Sequence, residues 1–71
     1  MLYEFRDTRT DNLLDAFSSE REALIALRDA FQIQGQGVLE NLMLVEDDPE
    51  RNHSRVMAVG VGLLYRTLHL P

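Results

Sequence analysis

The chain contains no cysteine and no lysine, and no apolar run in it approaches the ~20 residues that a membrane-spanning helix requires. Without cysteine there can be no disulfide, no thiol nucleophile and no thiolate-bound zinc or iron–sulfur centre. Positive charge is also scarce. Seven cations, all arginine (Arg6, Arg9, Arg21, Arg28, Arg51, Arg55 and Arg66), stand against twelve carboxylates, for a net charge of −5. That balance disfavours non-specific binding to nucleic acid or to anionic lipid, both of which need excess positive charge. The plainer reading of the use of arginine alone is coding bias toward arginine codons. The alternative is that its planar fork is kept for carboxylate pairing across a surface. Tyr3, Phe5 and Tyr65 are too few and too dispersed for a base-stacking platform, so core or interface positions suit them better.

At 71 residues, positions 1–71 make one domain with no room for a second core. A domain of this size buries only about 60% of its unfolded surface. Small domains make up the deficit with disulfides, a metal or a partner. With disulfides excluded, tight packing or self-association remains, and association is expected. An apolar share of 45% is ordinary for a globular chain. Met1–Arg6 reads as a strand and has no basic segment followed by an apolar stretch, so no signal peptide is expected. The expected compartment is the cytoplasm, which cysteine-free composition fits.

Leu2–Arg6 alternates, with Tyr3 and Phe5 on one face and Glu4 and Arg6 on the other. The polar run Asp7–Asn12 reverses the chain, and Leu13–Phe17 forms a second short strand. Tyr3 and Phe5 then share a face either with Leu14 and Ala16 or with Leu13 and Phe17. Ser19 followed by Glu22 is a capping box that opens a helix over residues 19–34, and Phe17 can add a staple. Ala23, Leu24, Leu27, Ala30 and Phe31 form its apolar stripe, with Ile25 beside it. Ile33 is also apolar, so the buried face is wide or meets a second surface. Gly35 and Gly37 stop the helix.

Residues 38–46 fit either a strand or a helical stripe. A strand over 41–46 is preferred, because Leu42–Val45 is a continuous apolar run suited to burial on both faces. The polar stretch Glu46–Ser54 and the run Arg55–Val59 then complete a second hairpin. Gly60 and Gly62 break that run, and Val61, Leu64, Tyr65 and Leu68 fall at helical spacing. The expected fold is α+β: a small antiparallel sheet of about four strands in β-β-α-β-β-α order, with one main helix packed on one face.

Phe17, Ser19, Glu22-Ala23-Leu24, Leu42, Leu44, Glu46-Asp47-Asp48, Ala58 and Gly60 together carry a resemblance. They are similar to the pattern of an uncharacterised group of short bacterial β-β-α-β-β proteins: F-[ST]-x-E-x-A-L at the helix start, an L-x-L strand into an acidic turn, and A-x-G after the last strand. The resemblance covers most of the chain and implies a fold but no activity. A looser likeness, through the hairpin-then-helix start, is to the partial ribonuclease-H-like domain of HicB-type antitoxins. It implies a regulatory protein that masks a nucleic-acid-acting partner. Leu13–Ser18 has neither the glycine nor the proline that those domains carry at this place.

No residue set has the spacing of a known chemistry, and neither a catalytic group nor a cofactor or metal site is assigned. Glu46, Asp47, Asp48, Glu50, Asn52 and His53 are the one dense group of metal-capable side chains. They lack the central glycine and the alternation of a calcium loop, and a charged stretch between strands is usually a solvated turn. A metal-dependent hydrolase centred there is the remotest reading. His53 and His69 are expected in water, away from the partner and pocket a general base needs. Gly35-Gln36-Gly37 follows a helix instead of opening one, which removes the positive helix end that holds phosphate. Ser18, Ser19 and Ser54 have no nucleophile-elbow context.

The expected function is a non-enzymatic protein-interaction module, homodimeric through its C-terminal segment, that binds another protein. Val61, Leu64, Tyr65 and Leu68 are the expected interface, since Gly60–Pro71 carries six large apolar residues and Arg66 alone is charged. No nucleic acid, membrane or small-molecule substrate is expected as a partner. The alternative, an antitoxin-like regulatory protein, would mask a basic, nucleic-acid-acting partner with an acidic face.

Overall fold

A computed structural model describes residues 1–70; Pro71, the end of the expected C-terminal segment, lies outside the described residues. Strands β1 (Leu2–Asp7) and β2 (Leu13–Phe17) form the first hairpin, and helix α1 (Glu20–Gln34) follows. A 3-10 turn over Gly35–Leu39 leads into β3 (Leu42–Asp48) and β4 (His53–Val59), and helix α2 (Val61–Thr67) closes the described chain. The fold is therefore α+β in the expected order. All four strands are antiparallel in one open sheet with the order β2-β1-β3-β4. Residues 38–46 divide between the 3-10 turn and a strand, which settles the ambiguity of that stretch.

Local chemistry accounts for the element boundaries. The Glu22 N–H donates to Ser19 Oγ at 3.1 Å, so Ser19 is the helix cap. The returning half of the expected capping box is different. Ser18 Oγ donates to Glu22 Oε2 at 2.9 Å, so the carboxylate serves the neighbouring hydroxyl. Phe17 meets the Phe5 ring edge-to-face, 5.8 Å between centroids, which ties the hairpin to the core. Gly35 ends α1 with φ 76°, and Gly60, between β4 and α2, has φ 54°; both conformations strain a side-chain-bearing residue. Asp11, Asn41 and Asn52 hold the other positive-φ positions, where short polar side chains are the tolerated choice.

The register resolves the hairpin. Tyr3 lies opposite Phe17 and Phe5 opposite Asp15, so Tyr3, Phe5 and Phe17 share the helix side of the sheet. A bulge follows, with Leu14 as the extra residue before the Arg6–Leu13 pair. A second bulge lies in β4, where Leu44 faces Ala58 but Val45 faces Val56, leaving Met57 as the extra residue. It lets both Met57 and Ala58 pack on the core.

That core lies between the sheet and the two helices. Phe5, Ala23, Leu24, Leu27, Leu39, Leu42, Leu44 and Leu63 are all buried in it. Helix α2 packs along α1 and on the edge strand β4. Arg66 fastens its end to the start of α1, with Nη1 donating to Glu20 Oε2 at 2.6 Å. Ile33 stands in solvent, so the wide apolar face expected of α1 ends before its last turn.

Candidate functional site

Two apolar surfaces remain after folding. The first is built by α2. Its seven residues turn Leu63 inward to complete burial. Leu64 and Leu70 are half-buried against the core. The rest of the helix points away. Val61, Tyr65 and Leu68 are 68%, 67% and 76% exposed, one above another at i, i+4 and i+7. Leu64 of the expected interface therefore bridges core and surface, while Val61, Tyr65 and Leu68 form the outer stripe. With Phe31 of α1 and Thr67 they border a shallow groove with no charged side chain in its lining.

The second surface is the sheet face turned away from the helices, and sequence reasoning assigned it no function. Strand registers arrange its side chains in rows across the sheet. One row is Leu13, Arg6, Met43, Val59; the next is Ala16, Glu4, Val45, Val56; a third holds Leu2, Asp47 and Ser54. Glu4 is only 6% exposed here, although no helix covers it. Arg6 holds it from the adjacent row, with Nη2 2.9 Å and Nε 3.0 Å from Glu4 Oε1. Arg6 also donates to the Asp11 carbonyl at 2.9 Å. The hydrogen bond to Glu4, with the nearby charges of Glu4, Asp11 and Asp47, raises the Arg6 guanidinium above its ordinary range despite partial burial. One signal in the chain pointed to this face: the unbroken run Leu42–Val45, which puts Met43 and Val45 opposite to Leu42 and Leu44.

The acidic stretch takes a different shape from the expected loop. Asp47 and Asp48 belong to β3, His53 and Ser54 belong to β4, and the turn itself spans 49–52. Strand alternation sends Asp47 to the open face, away from Glu46 and Asp48. Glu46 faces Arg55 at 3.4 Å and Asp48 faces Arg51 at 3.6 Å. Among the described residues no group of three or more histidines and carboxylates is gathered as a metal site would need. His53 and His69 are both exposed.

Six of the seven arginines stand within ion-pair distance of a carboxylate, Arg21 being the exception among the described residues. Most of these pairs are solvent-exposed and contribute little to stability. Their consequence is electrostatic. Arg6, Arg9, Arg51 and Arg55 are each already opposite a carboxylate, so they make no free basic stripe. At the first turn, Asp7 Oδ1 accepts from the Arg9 N–H at 2.7 Å, and the Arg9 side chain lies beside the same carboxylate. These two contacts hold Asp7 below the usual carboxylate range.

No protein family, curated protein or solved structure gives a match to this chain. Among the described residues no helix is long and apolar enough to cross a membrane.

Proposed function

We propose that the protein is a non-enzymatic interaction module that works as a homodimer and binds another protein, with the Val61–Leu64–Tyr65–Leu68 stripe as an interface. The observation that carries this reading is the outward side of α2, where three large apolar residues at helical spacing stand in water beside a groove without charge. Leaving a large apolar side chain exposed forgoes about 1.5–3 kcal/mol relative to burial. A contiguous group of such residues on a small chain marks an interface. Sedimentation equilibrium at tens of micromolar tests the homodimer: a two-chain mass is expected, and a one-chain mass across the concentration range overturns it.

A second reading has its own support. With six arginines engaged in ion pairs, the uncompensated charge on the surface is negative, and Asp15, Glu22, Glu40, Asp47 and Glu50 have no arginine within ion-pair distance among the described residues. Such a surface suits a regulatory protein that masks a basic, nucleic-acid-acting partner. That complex would weaken steeply as salt rises, whereas association through the apolar stripe would not.

A further inference from the structure

We infer that the open face of the sheet is where two copies of the chain meet, sheet on sheet, about a two-fold axis that crosses the strands between the Arg6 row and the Glu4 row. This rests on the homodimer reading above but moves its contact from the C-terminal stripe to the sheet, which leaves the α2 stripe to the other protein.

Three features of the face lead there. The first is composition. In the two central rows Leu13, Ala16, Met43, Val45, Val56 and Val59 surround one ion pair, and Leu13, Val56 and Val59 are more than half exposed. A sheet face meant for water carries polar side chains, whereas an apolar one is completed by another layer.

The second is charge. In a two-fold contact each residue meets its counterpart's neighbour reciprocally. An axis between the two rows lays Arg6 of one copy over Glu4 of the other, twice. It also lays Met43 over Val45, Val59 over Val56, and Leu13 over Ala16. The alternatives fail on the same residues. An axis along the Glu4 row would set two carboxylates face to face, and an axis along the Arg6 row two guanidiniums. An axis parallel to the strands would seal Glu4 against the Val45 of the second copy. Each Arg6 already holds the Glu4 of its own chain, and only the first arrangement adds a second opposite charge to both instead of a like charge or an apolar side chain.

The third is area. Four strands spaced about 4.8 Å and rising about 3.4 Å per residue give a face of roughly 20 by 20 Å. That span already includes the row of Leu2, Asp47 and Ser54, and side-chain relief raises its accessible area towards, but short of, the about 800 Å² per partner of a standard interface. The match is at the smaller end, so dissociation is expected in the micromolar range.

Val56→Glu and Val59→Arg test the arrangement, because both positions are exposed on an edge strand and face each other across the proposed axis. By sedimentation equilibrium each variant alone should show a one-chain mass where the parent shows two. An equimolar mixture should regain the two-chain mass, since the new carboxylate of one chain meets the new guanidinium of the other. The double variant Tyr65→Ser, Leu68→Ser should stay at two chains. Sheet variants that keep a two-chain mass while the α2 variant falls to one overturn this contact and leave the homodimer reading intact. So does a mixture that stays at one chain. A parent with a one-chain mass throughout overturns both. If either charge variant unfolds, methyl shifts of the parent on dilution decide: they move at Met43, Val45 and Val56 under this inference, and at Leu64 and Leu68 against it.

Discussion

On the helix side of the sheet, Phe5, Leu42 and Leu44 are sealed by a second layer of α1 and α2. On the opposite side Glu4 and Val45 reach equally low exposure with no layer above them. Arg6, Met43, Asp47, Ser54 and Val56 close in on them from the same face. The first kind of burial is vertical and dry: it removes apolar surface from water and fixes how helices sit on strands. The second is lateral, assembled from long side chains lying across their neighbours, and it leaves their outer surfaces in water. A covered face stores stability, and a laterally shielded face keeps surface available for something else.

Substitutions should separate the two. Leu44→Ala and Leu63→Ala each empty a fully buried site between layers, where cavity formation adds to the lost transfer free energy. A loss of about 2–5 kcal/mol is expected. In a domain with so thin a margin, urea melts should find these chains largely unfolded at 25 °C. A loss under about 1 kcal/mol at Leu63 would mean that α2 is not part of the core.

Arg6→Met should be milder. It leaves the Glu4 carboxylate shielded and without its cation, at a penalty of about 1–3 kcal/mol. Glu4→Gln, Arg6→Met together should recover part of that loss, because no buried charge remains. A double variant no better than the single one would show that Glu4 is wetter than its 6% exposure suggests.

Ser19→Ala removes the acceptor for the Glu22 N–H and should lower stability by about 1 kcal/mol, or roughly 4–8 °C in Tm for a domain of this size. Ser18→Ala, which loses only an exposed bond to the Glu22 carboxylate, should move Tm less. Equal shifts would make the two hydroxyls joint caps. Protein concentration must be fixed in such melts, since a dimer has a concentration-dependent midpoint.

The smallest effect lies in the β1–β2 turn. Asp7 has a folded-state pKa below its unfolded value, so its contribution is present above about pH 4 and is lost as pH falls through the folded value. Asp7→Asn should therefore lower stability slightly at neutral pH and flatten the acid limb, with the variant and parent curves converging as pH falls through the folded value. Curves that differ in acid and coincide at neutral pH would refute the assignment.

The chain itself determined its elements, because their signals are local. Alternation set β1, Ser19 and Glu22 set the start of α1, Gly35 its end, and the run Leu42–Val45 a strand with two apolar faces. Helical spacing likewise placed Val61, Leu64 and Tyr65 on α2, with Leu68 at its C-cap. Tertiary structure decided what no local signal contains. Strand order put β3 beside β1, and only that pairing carries Val45 next to Glu4 and Met43 next to Arg6. The bulge in β4, invisible in a period-two pattern, turned Met57 and Ala58 together onto the core and left Val56 and Val59 on the open face. The docking angle of α2 chose Leu63 for the core over Tyr65 and Leu68, although all three are large, largely apolar side chains within six residues of one another. Each of these outcomes depends on residues far apart in the chain sharing one space, and spacing along a sequence fixes only which residues can share a face, never which face is covered.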